Sequence, residues 1–228
     1  MIREPTILYE DNHILVIDKP AGLLSQGDIS GESSVVTWAQ AYLGRPYVGL
    51  VHRLDRNTSG VMVLGKRTKA SQRLSDGIKK GEFIKEYLAL VLGSPATDSP
   101  EELSNFLRKN ESTRVVEVVA STTPHAQIAR LEYTTLKTLR LQDASEAALL
   151  KVKLYTGRFH QIRAQLAHAG FPLLGDQKYG GSKCARHAPR VALHAHTLTF
   201  AHPMSKEKLV LVAPWPQDLS SIATPGGS

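Results

Sequence analysis

The sequence has little of several features that define common classes of protein. Among its 228 residues there is one cysteine, Cys184, so an intramolecular disulfide is excluded and the chain suits a reducing compartment. No apolar run approaches the roughly 20 residues that a membrane-spanning helix requires. The first twenty residues include Arg3, Glu4, Glu10 and Asp11, which is unlike a signal peptide. We therefore expect a cytoplasmic protein that does not associate with membranes.

The sequence also lacks the patterns that bind common cofactors and metals. No phosphate-cradling loop of the mononucleotide type is present. His194 and His196 lie on a predicted strand, so their imidazoles share one face, but no third ligand stands nearby and a zinc site needs three or four. The sequence places no fixed base beside Cys184 that would make it a nucleophile. We expect neither a metal nor an organic cofactor.

Aromatic residues are few, whereas positive charge is abundant and unevenly distributed. Aromatics make up only 6% of the chain, which argues against an extended platform for stacking nucleic-acid bases. The net charge is +7; residues 45–85 hold ten Lys and Arg against three Asp and Glu, and residues 151–210 hold ten against two. These basic blocks suggest a phosphate backbone as the partner, and a solubilising surface is the alternative.

The order of apolar and turn-forming residues predicts an α+β fold. Helices are predicted at 34–43, 69–79 and 160–169, and strands at 6–9, 14–17, 47–54, 61–65, 83–92, 114–120, 129–141, 147–155, 191–200 and 208–213. Residues 93–112 are predicted to be an exposed excursion and residues 175–190 a basic, glycine-rich loop. We expect a large mixed or antiparallel sheet with a few flanking helices, in a single domain over residues 1–228.

The densest polar motif lies between two predicted strands, at residues 52–60. Asp55 stands there in a turn with Asn57, Thr58, Ser59 and Gly60, residue types that bond their own backbone or tolerate positive φ. One interpretation is that Asp55 accepts backbone N–H groups and closes the loop. The other is that the two neighbouring arginines keep it ionised, as a nucleophile needs, and also bind a polyanion. The motif by itself leaves both open.

Three motifs, in order, resemble those of the RluA-type RNA pseudouridine synthases. They are His52-Arg53-Leu54-Asp55-x-x-Thr58-Ser59-Gly60, Lys85-x-Tyr87-x-Ala89, and Gly157-Arg158-x-His160-Gln161-Ile162-Arg163 followed by Gly170-x-Pro172-x-Leu174-Gly175-Asp176. The opening Lys19-Pro20-Ala21-Gly22-Leu23 and the late Leu193-His194-Ala195 with Ala213-Pro214 fit the same pattern. The resemblance covers about residues 6–216. Many relatives carry a small N-terminal RNA-binding domain, whereas here the catalytic region begins at once.

The resemblance implies the pseudouridine synthase fold with a central catalytic cleft. It implies an isomerase that converts specific uridines in structured RNA to pseudouridine, without a cofactor and without a separate N-terminal RNA-binding domain. The expected partner is a transfer or ribosomal RNA stem-loop, and we expect a monomer.

The resemblance also assigns roles to particular residues. Asp55 would be the essential carboxylate, attacking ribose or base or abstracting a ribose proton, and Arg163 would pair with it and hold it ionised. Tyr87 would stack against a uracil flipped out of the RNA and assist a late proton transfer, and Arg53 would fill the vacated space. Without the resemblance, the alternative is that Tyr87 is a buried aromatic residue of a strand and that Arg163 forms an ion pair on a helix surface. Further RNA contacts are expected from His52, Arg56, Lys85, Arg158, His160, Gln161, Lys178, Lys183 and Arg186.

Two other classes of protein use parts of the same pattern. A glycoside hydrolase would also attack an anomeric carbon, but it normally needs two opposed carboxylates, and the motifs supply one obvious candidate. A non-catalytic RNA-binding protein would explain the basic blocks but would leave Asp55 among its arginines without a role.

Overall fold

The structure is a computed structural model that describes residues 3–27, 31–95 and 99–223. Within these residues the chain forms eleven strands and five helices. The strands are β1 Thr6–Glu10, β2 Ile14–Lys19, β3 Gly49–Leu50, β4 Ser59–Gly65, β5 Ile84–Leu92, β6 Glu101–Lys109, β7 Val116–Val119, β8 Gln127–Arg140, β9 Glu146–Leu154, β10 Leu193–Ala201 and β11 Lys208–Val212. The helices are α1 Val35–Leu43, α2 Thr68–Lys79, α3 Gln161–His168, α4 Gln177–Ala185 and α5 Gln217–Ser220.

This mixture of parallel and antiparallel strands with few helices confirms the predicted α+β class. The chain divides into two compact units. The first consists of Met1–Lys85 and His194–Pro214, and the second of Glu86–Leu193 and Trp215–Ser228. The single catalytic domain expected over residues 1–228 stays a prediction.

The first unit is built on strands buried along most of their length. β4 pairs antiparallel with β2 and parallel with β10, and β1 and β11 pair with β2 and β10 respectively. All seven residues of β4 are buried, as expected of a central strand covered on both faces. The turn between β1 and β2 is fixed by Asp11, whose carboxylate accepts the N–H groups of His13 (2.7 Å) and Ile14 (2.8 Å).

The second unit carries an antiparallel arrangement in which β8 pairs with both β6 and β9, and β6 also pairs with β7. Burial alternates along β8: Ala129, Leu131 and Tyr133 are buried, whereas Ile128 and Arg130, on either side of Ala129, are exposed. One face of these strands is therefore turned to solvent, a common arrangement for antiparallel sheets. Gln165 anchors α3 to the buried side, because its amide donates to the carbonyls of Leu103 (3.1 Å) and Ala129 (3.2 Å) in that sheet.

The strand predicted at 47–54 is wrong, because only Gly49–Leu50 pairs with β4. The reason lies at Leu54, whose backbone N–H and carbonyl are both bonded to the hydroxyl of Ser25. A residue with both backbone groups occupied by a side chain cannot join a strand ladder.

Two predicted loops also contain regular structure. Residues 93–112, of which 96–98 lie outside the described residues, include β6. Its alternation was hidden because the polar Asn105 lies on the buried side, where it accepts from the amide of Gln165 (2.8 Å), and the apolar Phe106 lies on the other face. Residues 175–190 include α4, which begins at the N-cap Asp176 and is kinked at Gly181 (φ 63°, ψ −164°). The helix predicted at 160–169 begins one residue later, because His160 adopts a left-handed conformation (φ 51°).

No helix among the described residues is both long and apolar enough to cross a membrane.

The close approach of β4 to β10 depends on Gly60. Its φ is +120°, and a Cβ built there would lie 2.2 Å from the carbonyl oxygen of Ala195. We expect Gly60→Ala to lower the free energy of unfolding by about 2–5 kcal/mol, from backbone strain together with the clash, measured by urea denaturation. Gly81→Ala is the control, since φ there is +74° but a Cβ would meet no atom within 4 Å, so only about 1–2 kcal/mol should be lost. Equal losses would contradict the role of the Ala195 contact.

Candidate active site

Asp55 begins a tight turn that leads directly into β4. Its carbonyl accepts the N–H of Thr58 (3.1 Å), and the turn residues Arg56 and Asn57 are exposed. The side chain of Asp55 is half-buried. The turn predicted from the residue types at 55–60 is confirmed.

The backbone on both sides of Asp55 is held by residues 19–25, which we call the brace. On the N-terminal side, the Ser25 hydroxyl donates to the carbonyl of Leu54 (2.6 Å) and accepts its N–H (3.1 Å). On the C-terminal side, the carbonyl of Arg56 accepts the N–H of Gly22 (2.8 Å) and the ammonium of Lys19 (3.1 Å). Asp55 therefore sits between two residues whose backbone positions are fixed.

Lys19 is the buried centre of this brace. It is 0% exposed, and its ammonium donates to the carbonyls of Pro20 (3.0 Å), Leu23 (2.8 Å) and Arg56. An ammonium removed from water needs such partners, because burial without them costs several kcal/mol or more. Lys19 opens the motif Lys19-Pro20-Ala21-Gly22-Leu23, but its role as a buried donor was not predicted from the sequence.

His52, expected to contact RNA, makes a bond within the first unit. Its Nε2 accepts the N–H of Val63 (3.1 Å), which requires an unprotonated nitrogen. Burial, and then the positive charge of Lys85, lower the pKa of His52 to about 3, so the ring is neutral at pH 7. Burial also lowers the pKa of Lys85.

The end of the turn is tied to β10 through two buried polar side chains. Ser59 Oγ lies 2.9 Å from His194 Nδ1, and His194 Nε2 lies 3.2 Å from the carbonyl oxygen of Ala213. Because a carbonyl can only accept, His194 Nε2 donates and its Nδ1 accepts from the serine hydroxyl. His196 Nδ1 bonds the same carbonyl (2.9 Å). In the described part of the chain, no three His, Cys, Asp or Glu side chains are grouped as a metal site requires.

In the second unit, Arg163 forms a two-pronged ion pair with Asp176. Its Nε and Nη2 lie 2.7 and 2.9 Å from the carboxylate oxygens of Asp176, which is 0% exposed. The same carboxylate accepts the N–H groups of Lys178 and Tyr179 and so begins α4. The ring of Tyr179 lies under the guanidinium, with its centroid 5.0 Å from Cζ. Asp176 stands in the third motif, but its role as a helix cap and partner of Arg163 was not predicted.

Two of the three residues before Arg163 help to position its helix. Gln161 is buried; its Oε1 accepts the N–H of Arg158 (3.0 Å) and its amide donates to the carbonyl of Arg130 (3.1 Å). His160 Nδ1 lies 3.0 Å from the hydroxyl of Tyr179. Burial, then the nearby charges of Arg163 and Lys178, lower the pKa of His160 to about 3.

The remaining predicted site residues divide by exposure. Tyr87 lies in β5 and is buried. Arg53, Arg56, Arg158, Lys178, Lys183 and Arg186 are exposed. Arg56 pairs with Glu32 (2.5 Å) and Arg186 with Asp143 (2.5 Å). Exposed pairs of this kind contribute about 0–1 kcal/mol, so exchanging the carboxylate for a phosphate costs little. The pairing of Arg163 with Asp55 and the RNA contacts stay predictions.

Comparison with known proteins agrees with the motifs. A family model described as RNA pseudouridylate synthase matches residues 13–168. Ribosomal large subunit pseudouridine synthase D of Xanthomonas campestris pv. campestris is 34% identical over 235 residues, which cover 95% of this chain and 67% of the relative. The RNA pseudouridine synthase YjbO of Bacillus subtilis is 35% identical over 230 residues, 97% of this chain and 77% of the relative.

One solved structure adds a likeness of fold. Human RNA pseudouridylate synthase domain containing 1 has a TM-score of 0.79 at 22% identity, covering 96% of this chain and 87% of that one. This chain spans about two thirds of the length of the Xanthomonas relative.

The buried pair between Arg163 and Asp176 should contribute strongly to the free energy of unfolding. Asp176→Asn retains a good helix cap but leaves a guanidinium that is 10% exposed without its carboxylate. We expect the free energy of unfolding to fall by about 3–5 kcal/mol, measured by urea denaturation. Glu32→Gln is the matched control, because Glu32 pairs with Arg56 in a similar two-pronged way, but the side chains of Arg56 and Glu32 are 48% and 41% exposed. That change should cost at most about 1 kcal/mol, and equal losses would contradict the argument.

Proposed function

The chain belongs to the RNA pseudouridylate synthase family, enzymes that isomerise uridine in RNA to pseudouridine, and on that premise we propose that Asp55 is its essential carboxylate. The observation that carries the proposal is the brace around Asp55. Ser25 holds the residue before it, and Lys19 and Gly22 hold the residue after it. A carboxylate whose backbone is fixed on both sides meets the main structural requirement of a catalytic group, which is a position set before the substrate arrives.

The reaction exchanges one bond of the ribose for another. The bond from C1′ to the base nitrogen breaks, the base turns, and C1′ joins a ring carbon, whose hydrogen leaves as a proton while the released base nitrogen gains a proton. Reactant and product are isomers, so no electron donor or group donor is consumed. Asp55 has three routes into this sequence: attack on the ribose, attack on the base, or removal of a ribose proton. Each of them requires the ionised carboxylate.

Arg163 is proposed to keep Asp55 ionised and oriented. Asp176 holds its Nε–Nη2 edge, and this fixes the plane of the guanidinium. A guanidinium held in a fixed plane can orient a carboxylate, because its N–H donors form a rigid, planar set. Tyr87 is proposed to stack against the target uracil and assist the late proton transfer.

The substrate is proposed to be a uridine in structured transfer or ribosomal RNA. The names of the Xanthomonas relative and others like it refer to the large ribosomal subunit, which favours ribosomal RNA. A uridine within a helix is stacked, so we propose that it is flipped out before reaction, and that the exposed Arg53 fills the space it leaves.

Replacement of Asp55 tests the proposal. Asp55→Asn keeps the size of the side chain but removes its charge, so pseudouridine formation in single turnover should fall below detection. RNA affinity and the unfolding midpoint should stay near those of the wild type, because the phosphate contacts come from other residues. Asp76→Asn, on α2 of the same unit, is the control and should react normally. Substantial turnover by Asp55→Asn would remove Asp55 as nucleophile or base.

The basic segment after Arg163 is proposed to contact phosphates. Replacing Lys178, Lys183 and Arg186 together with alanine should flatten the slope of log affinity against log salt by up to ~3, if each side chain contacts one phosphate. Affinity is measured by fluorescence anisotropy with ribosomal RNA fragments. The control replaces Lys137 and Arg140, exposed cations in the acidic segment 86–150, and should leave the slope unchanged. An unaltered slope in the triple variant would place that segment away from RNA.

A further inference from the structure

We propose that the ring of Phe159 is a stacking site for the base of an unpaired nucleotide in the RNA substrate. Phe159 occupies the one unspecified position between Gly157 and Arg163 in the third motif, so its identity belongs to this chain rather than to the pattern. The inference deepens the proposed function, since it rests on RNA being the substrate. It assigns a nucleotide contact separate from the reacting uridine.

Phe159 is a large apolar side chain held at the surface. It is 38% exposed, and its ring stacks on His160 with centroids 3.8 Å apart and planes 19° from parallel. A single exposed apolar residue needs no explanation on its own. An exposed ring that is already stacked on a second ring is different, because it has a fixed orientation and loses little freedom when a third ring is added.

The second ring is itself locked in place. His160 adopts the left-handed conformation (φ 51°), which is uncommon for a residue other than glycine. Its Nδ1 lies 3.0 Å from the hydroxyl of Tyr179, and that hydroxyl accepts the N–H of Val116 (2.9 Å). With a pKa of about 3, the imidazole is neutral at pH 7 and stacks without repelling nearby cations. Backbone strain that the surroundings maintain is a common mark of a functional position.

Positive charge lies beside the exposed ring. The ammonium of Lys109 lies 5.6 Å from its centroid, and Arg158 is the residue before Phe159 in the chain. The Lys178 ammonium bonds the carbonyls of Thr113 and Arg114, in the same β6–β7 turn that follows Lys109. Lys109 also pairs with Glu111 (2.5 Å), but Glu111 is 79% exposed and readily exchanged for a phosphate.

The combination of an exposed ring and adjacent cations fits a nucleotide better than an apolar partner. A base stacks on the ring while its phosphate binds a neighbouring ammonium, the arrangement by which proteins bind unpaired RNA. An apolar protein surface would instead bury the Lys109–Glu111 pair and the Arg158 guanidinium, and it would offer no polar group to offset their loss of water. One ring serves one base, which agrees with the low aromatic content of the chain.

The test measures affinity for two probes, a fluorescent single-stranded decauridylate and a blunt duplex of the same length. Phe159→Leu keeps an apolar side chain but removes the ring, and we expect it to weaken binding of the single strand about 5- to 150-fold. Phe159→Trp should bind at least as well as the wild type, with its indole fluorescence quenched by the base. Binding of the duplex should not change, since its bases are already paired. The log–log salt slope should not change either, because the ring has no charge.

Tyr42→Leu is the matched control. Tyr42 is 49% exposed and stacked on Trp38 (5.5 Å between centroids), but its hydroxyl bonds the carboxylate of Glu10, so a carboxylate lies beside this ring. This change should leave RNA affinity unaltered. Unfolding midpoints of all variants establish that each is folded.

Two results would overturn the proposal. One is that Phe159→Leu binds the single strand as tightly as the wild type does, which would indicate that the ring contacts a protein partner instead. The other is an equal loss on the duplex, which would indicate a general effect on the surface. Pseudouridine formation by the wild type is scored separately on ribosomal RNA. If the wild type forms pseudouridine but Phe159→Leu leaves the affinity for the single strand unchanged, only the stacking site is overturned. If the wild type forms no pseudouridine, the proposed function is overturned.

Discussion

The buried ammonium of Lys19 is the interaction on which the Asp55 turn depends. Three carbonyl groups, including that of Arg56 next to Asp55, converge on it. The loop after β2 and the turn before β4 cannot move independently without breaking the bond from that buried ammonium to the carbonyl of Arg56. Together with Ser25 at Leu54, it turns a short polar turn, which would otherwise be mobile, into a rigid support for one carboxylate.

In the second unit a buried ion pair fixes the orientation of a charged side chain. Asp176 bonds Arg163 in two places and also caps α4. One carboxylate therefore sets the orientation of a guanidinium and the start of a helix. Buried pairs seldom add net stability, but removing one partner is expensive. Their value here is orientation: the Arg163 side chain is fixed before RNA binds.

Buried and exposed charged residues have different kinds of partner in this protein. Lys19, Arg163 and Asp176 have fixed partners, whereas exposed cations such as Arg56 and Arg186 pair with carboxylates that solvent already screens. The first group is suited to hold geometry and the second to exchange partners with a polyanion. The locked but exposed ring of Phe159 combines both properties.

The sequence by itself determined the α+β class, the turn at Asp55 and the family, because apolar periodicity, turn residues and three ordered motifs are all local signals. Boundaries failed where a distant contact overrode the local pattern, as at Leu54, whose backbone is occupied by Ser25. β6 and α4 were missed because the polar residues of the strand and the glycines of the kinked helix are also typical of loops. Only the tertiary structure decided that Lys19 supports Asp55 and that Asp176 binds Arg163. Lys19 and the Arg56 carbonyl that it bonds are 37 residues apart, Asp176 and Arg163 are 13 apart, and no periodicity connects the members of either pair.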